Sequence, residues 1–126
     1  MKNEALLFKS LADETRLKIL WLLMGQDELC VCDNYAHPGD HLIQGLPHLR
    51  YLFNAGLVTD RREGVWINYS IAVPPGSNGQ KFIQLVGEML AATPEAQSLR
   101  QKLANWLKSK AMNGLCLLTC QKDAPY

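Results

Sequence analysis

The stretch Leu57-Val58-Thr59-Asp60-Arg61-Arg62-Glu63-Gly64-Val65-Trp66-Ile67-Asn68-Tyr69-Ser70-Ile71 decides the fold. Residues 57–60 and 65–71 are rich in strand-forming side chains, and the segment between them is polar and ends in glycine. That pattern predicts an antiparallel hairpin with its turn at residues 61–64. In the second run Val65, Ile67, Tyr69 and Ile71 alternate with Trp66, Asn68 and Ser70, which predicts one buried face. Just upstream, Leu46 to Asn54 reads as a helix carrying Leu49, Leu52 and Phe53 on one side, with Gly56 as its stop.

The rest of the chain reads as helices around that unit. Residues 4–10 form a short helix. Asp13 is a good N-cap for a second helix running to Met24, with Glu14 near its positive end and Gly25 at its stop. Its apolar residues cover most of its circumference, so burial on several sides is expected. Residues 28–56 read as a small helical region. After the hairpin, residues 73–79 form a loop. Phe82, Leu85, Val86, Met89 and Leu90 then mark an amphipathic helix. Thr93 and Pro94 restart a helix as N-cap and first position, with Leu99, Leu103, Trp106 and Leu107 as its stripe. A helix-turn-helix followed by a β-hairpin is a winged helix, so the expected class is mainly α with a small β-hairpin. Apolar terminal helices on so small a core predict pairing with a second copy. The expected organisation is a winged-helix DNA-binding and dimerisation domain over residues 1–110, then a cysteine-containing tail over residues 111–126.

Composition narrows the function classes. The 126 residues carry 13 Lys+Arg against 12 Asp+Glu, a formal net charge of +1, so any basic surface has to be local. The hydrophobic fraction is 48% and the charged fraction 20%, which is ordinary globular composition. The apolar run Ile19 to Met24 is too short to span a bilayer, and no signal-peptide pattern follows Met1. A cytoplasmic location is expected, where thiols stay reduced, and the four Cys then suggest metal binding or reactivity more than disulfides. No nucleophile–base pair, phosphate loop or acidic dyad is present, so an enzyme is not expected.

Three stretches resemble the ArsR/SmtB family of winged-helix repressors. They are Phe8-Lys9-Ser10-Leu11-Ala12-Asp13-Glu14-Thr15-Arg16-Leu17-Lys18-Ile19-Leu20, Glu28-Leu29-Cys30-Val31-Cys32-Asp33, and His48 to Val58 continued by Asp60 to Tyr69. The middle one is similar to the metalloid-binding motif of the family's arsenic-responsive branch. The resemblance implies a homodimer that represses a resistance operon and leaves its operator DNA when an ion binds. It implies that Cys30 and Cys32 are thiolate ligands for As(III) or Sb(III), with Cd(II), Pb(II) and Zn(II) as other soft or borderline candidates. The family motif often has a third Cys where this chain has Tyr35. Cys116 and Cys120, four apart, could complete the set, form a separate site, or be incidental to an apolar tail. His37 and His41 have zinc-compatible spacing, and the amphipathic helix around Phe82 lacks the family's Asp/His zinc pairs. His48, Arg50, Arg61 and Arg62 are the residues expected to face DNA, the last two at the wing tip. The bland reading of these is a packed histidine and a solvated charge set balanced by Asp60 and Glu63.

One segment departs from the family pattern. Residues 34–47 have the expected length but contain Pro38-Gly39, Gly45 and Pro47 where a helix-turn-helix should begin. Pro47 within the recognition helix would cost about 3 kcal/mol. A one-base frame shift from Asn34, restored at His48, permits a Ser-, Lys- and Arg-bearing segment, so residues 34–47 read as frameshifted. As printed, Arg50, Arg61 and Arg62 are offset between residues 34 and 72 by Asp40, Asp60 and Glu63. The expected function is a metalloid-responsive repressor. The alternatives are a thiol redox regulator on the same fold, or a metal- or protein-interaction module with impaired DNA binding.

Overall fold

Asp13 begins the central helix as its position predicts. Its backbone is extended, and its carboxylate accepts a hydrogen bond from the Arg16 amide at 3.1 Å. A computed structural model describes residues 1–31, 46–64 and 66–113, apart from the side chains at 30, 31, 46, 66, 106, 107 and 109–113. Within these residues the order is α1 (Lys2–Leu11), α2 (Glu14–Met24), β1 (Leu29–Val31), α3 (Leu46–Asn54), β2 (Val58–Glu63), β3 (Trp66–Ile71), α4 (Asn78–Ala91) and α5 (Glu95–Asn113). No helix among them is long and apolar enough to cross a membrane. The architecture is mainly helical with a small antiparallel sheet, as a winged helix-turn-helix requires.

The hydrophobic residues of α2 organise the core. Ile19, Leu20, Trp21, Leu22 and Leu23 are consecutive and all buried. A run of five has no solvent side, and α2 accordingly packs against α1, α3, α4, α5 and β3. Each such side chain removed from water contributes about 1.5–3 kcal/mol. Leu49 and Leu52 of α3, Leu57, Val58 and Tyr69 complete the core on the sheet side, and Ala96 and Leu103 of α5 on the other.

The link from α3 to the sheet is set by Gly56. Its φ is +83°, its amide donates to Phe53 O at 3.0 Å, and the Leu57 amide donates to Leu52 O at 3.1 Å. This left-handed cap satisfies carbonyls that the helix would otherwise leave open and turns the chain directly into β2.

Four local expectations are corrected. Residues 29–31 are a strand, not part of a helical region: β1 pairs antiparallel with β3, giving a three-stranded sheet in the order β1-β3-β2. The strand β2 runs through Arg61, Arg62 and Glu63, which pair with Asn68, Ile67 and Trp66, so the arginines lie in the ladder and not in the turn. Asn68, assigned to the exposed face, is only 6% exposed, because β3 is the central strand and is flanked on both edges. Thr93 does not cap α5: its hydroxyl donates back to Leu90 O at 2.6 Å and closes α4.

Pro47 is the second described residue of α3; the turn that would precede it lies outside the described residues, and with it the expected cost of a proline there. The frameshift reading of residues 34–47 otherwise lies outside the described residues. So do His37, His41, the first helix of the helix-turn-helix, and the tail after Asn113.

Candidate nucleic-acid interface and thiol site

Helix α3 is anchored by a residue with no expected role. The Arg16 guanidinium lies 4.1 Å from the Tyr51 ring centroid. Its Nε donates to Ser10 O at 2.8 Å and its Nη2 to Lys9 O at 3.1 Å. Its Nη1 is 3.4 Å from His48 Nδ1, and that nitrogen is 4.0 Å from an Asp13 carboxylate oxygen. Arg16 therefore ties the end of α1, the start of α2 and the start of α3 into one corner. The structure places His48 in this corner, half-buried. Arg50 is exposed on α3, with its guanidinium 5.1 Å from the Phe53 ring centroid.

The corner has a pH signature. The hydrogen bond from the Arg16 amide, helped by the charges of Arg16 and His48 against a cost of desolvation, holds the Asp13 carboxyl below the ordinary carboxylate range. A depressed acid contributes stability above its unfolded value and loses it as pH falls through the folded value. Wild-type stability should thus fall below about pH 4. Asp13→Asn, which keeps an oxygen acceptor for the Arg16 amide, should flatten that fall in urea midpoints measured at neutral and acid pH. An unchanged slope would remove Asp13 from the account.

The two wing arginines lie on opposite faces of β2, because side chains alternate along a strand. Arg62 shares its face with Val58 and Asp60, the face turned to the core and α3. Asp60 is directly opposite Tyr69, so Arg62 lies on the Tyr69 face, and α3, which carries Arg50, packs against β2. Burial pushes the Tyr69 phenol up; the charges of Arg50 and Arg62 act to lower it and that of Asp60 to raise it. Tyr69 is fully buried, and its hydroxyl has no hydrogen-bond partner among the described residues. Arg62 forms no ion pair among the described residues.

Arg61 is differently engaged. Its Nε donates to Glu28 Oε2 at 2.9 Å and its Nη2 to Glu28 Oε1 at 2.7 Å, a bidentate pair. Its Nη1 lies 3.2 Å from Glu63 Oε1. The hydrogen bonds from Arg61 hold Glu28 below the ordinary carboxylate range, and the two carboxylates raise Arg61 further. Glu28 and Arg61 are 33 residues apart, so no local pattern marks this contact.

The cysteine motif begins on this sheet. Cys30 lies in β1, opposite Asn68 of β3, and Asn68 is in turn opposite Arg61 of β2. The amide nitrogen of Asn68 is buried and has no hydrogen-bond partner among the described residues. The side chain of Cys30, and Cys32, Cys116 and Cys120 entirely, lie outside the described residues. The structure thus brings Arg50 and Arg62 to one side of the wing and gives Arg61 to the other. Sequence reading missed Arg16, Glu28 and Asn68. Each lies in one of the three family-like stretches, but nothing in those stretches marks its partner.

No protein-family model matches the chain. It is 37% identical over 108 residues to ArsR2, an arsenic resistance transcriptional regulator of Pseudomonas putida, covering 85% of this chain and 86% of that protein. It is 44% identical over 66 residues to the arsenical resistance operon repressor of Escherichia coli, covering 52% of this chain and 56% of that one. A CadC homolog, a cadmium resistance transcriptional regulatory protein of Staphylococcus aureus, is 40% identical over 67 residues, 53% of this chain and 55% of its own. With a helix–wing fold in place and a relative matched over most of both chains, the chain belongs to the ArsR/SmtB family of winged-helix transcriptional regulators, a family of regulators and not of enzymes.

Proposed function

We propose that this protein is a dimeric, cytosolic repressor that binds operator DNA and lets it go when the Cys30 and Cys32 thiolates bind As(III) or Sb(III). The observation that carries the reading is the position of Cys30. It lies on β1, which is hydrogen-bonded along β3, the inner strand of the wing. A ligand that reshapes the cysteine motif therefore acts on a strand of the DNA-binding sheet itself. The relatives' names, arsenic resistance regulator and arsenical resistance operon repressor, support the ion class.

The chemistry follows from the donors. Thiolates are soft ligands and favour soft ions. Two thiolates leave a trigonal ion one donor short, and Cys116 or Cys120, from either subunit, supplies it in this reading. The ion must bind the DNA-free conformation more tightly, and the coupling is reciprocal, typically about 1–3 kcal/mol. On the DNA side, Arg50 and Arg62 contact phosphate or the groove edge, and His48 aids by holding α3. The second copy covers the exposed apolar residues Phe8, Leu85 and Met89, where Phe8 and Phe82 of α1 and α4 already meet edge to face at 4.9 Å.

The test is a titration of the protein's own promoter fragment at one fixed salt concentration. Arsenite or antimonite should release DNA at lower concentration than cadmium, lead or zinc. Release by cadmium or zinc first would move the ion assignment. Release by oxidant alone would replace it with a thiol redox regulator. A folded dimer that fails to bind at low salt would instead be an interaction module.

A further inference from the structure

Occupancy at Cys30 has to reach the DNA-facing surface, and among the described residues one side-chain ion pair reaches across the sheet. We infer that the Glu28–Arg61 pair is the coupling strut between the cysteine strand and the wing, and that Arg61 serves there and not as a phosphate contact. This rests on the reading that Cys30 belongs to the effector site.

Three observations converge on it. First, the register aligns Cys30, Asn68 and Arg61 in one row across β1, β3 and β2. Within it Asn68 and Arg61, directly opposite each other, share a face of the sheet. Second, Glu28 precedes Cys30 by two residues, and its carboxylate takes both ends of the Arg61 fork at 2.9 and 2.7 Å. A bidentate fork is directional, so a twist or slide of β1 against β2 breaks it. The backbone ladder fixes β1 to β3 and β3 to β2, and among the described residues this is the ion pair that links the residue entering β1 to β2. Third, Arg61 is occupied from both sides, by Glu28 and by Glu63. DNA phosphate would have to displace two carboxylates to reach it, whereas Arg62 on the opposite face is free of ion pairs among the described residues.

The pair is also suited to switching. Glu28 is 35% exposed and Arg61 52%, so water competes for both groups and separation is not prohibitive. A buried pair would lock the two strands instead of letting them change relation. In the ligand-free state the strut holds the wing at the angle set by β1. When the cysteine motif closes on an ion, Glu28 moves with it and the wing loses that angle.

Glu28→Gln, Arg61→Gln and the exchanged pair Glu28→Arg/Arg61→Glu test this, with three readouts. Arsenite binding to the protein alone, followed by thiolate–arsenic absorbance, should stay within about 2-fold of wild type. Ligand-free operator affinity should fall toward the arsenite-bound value, while its salt dependence keeps its slope, since no phosphate contact is lost. The ratio of operator affinities without and with saturating arsenite, about 5- to 150-fold in couplings of this kind, should collapse toward 1 in both single variants. It should recover in the exchanged pair. An unchanged ratio in the single variants overturns the strut. So does a salt slope reduced by about 1 in Arg61→Gln alone, which marks a phosphate contact. If wild type itself binds no arsenite, or keeps its DNA when arsenite is bound, the proposed function fails and the strut with it.

Discussion

Trp21→Ala should lower unfolding stability by about 3–5 kcal/mol, the range for removing a large aromatic ring from a core. Trp21 is buried in α2, and two further features concentrate the loss there. Its indole N–H donates to Ala96 O at 2.8 Å, and the Arg100 guanidinium lies over its ring at 3.5 Å while donating to the Trp21 carbonyl at 3.1 Å. Ala96 and Arg100 both belong to α5. The tryptophan is therefore the main fastening of the last helix to the central one. Gly25 makes room for the arrangement: a Cβ there would meet Arg100 Nε at 3.1 Å. Trp21→Phe keeps an aromatic face for Arg100 but removes the indole bond to the Ala96 carbonyl, at about 0.5–1.5 kcal/mol. Urea unfolding followed by circular dichroism gives both values. Hydrogen exchange should show that α5 opens first in Trp21→Ala. A loss in Trp21→Ala no larger than in Trp21→Phe would mean that the ring itself carries little, and that α5 is held elsewhere.

The fastening matters because legibility fell off with contact distance in the chain. Elements whose signals are local were readable: the Asp13 cap, the five-residue buried run of α2, the Gly56 stop and the alternation of β3. Leu29-Cys30-Val31 escaped because three residues are too few to show a period. Without β1, Asn68 looked like a solvent-side residue and Arg61 like part of a turn. Arg16 and Glu28 act through partners 32 and 33 residues away, which no window along the chain displays. The cysteine motif was legible by resemblance alone. The structure adds that the motif begins on a strand of the wing sheet.

Cys30→Ser should raise the arsenite concentration that half-releases operator DNA by roughly 100-fold or more. Loss of a residue that merely supports a metal site costs about 10- to 100-fold in affinity, so loss of a ligand should reach or pass that range. Serine offers a hard oxygen in place of a soft thiolate at nearly the same size, so the change falls on ion affinity more than on packing. Ligand-free operator affinity should move by no more than about 2-fold, because Arg50 and Arg62 are on the other side of the sheet from the Glu28–Cys30 edge. Cys116→Ser separates the two roles open to the tail. A shift as large as that of Cys30→Ser would place Cys116 in the same ion site. An unchanged midpoint with one fewer arsenite bound per chain would place it in a second site. If arsenite released DNA equally well from Cys30→Ser and from wild type, the thiolate assignment would be wrong. The strand β1 would then be an ordinary edge of the wing sheet, and the inducer would have to act elsewhere.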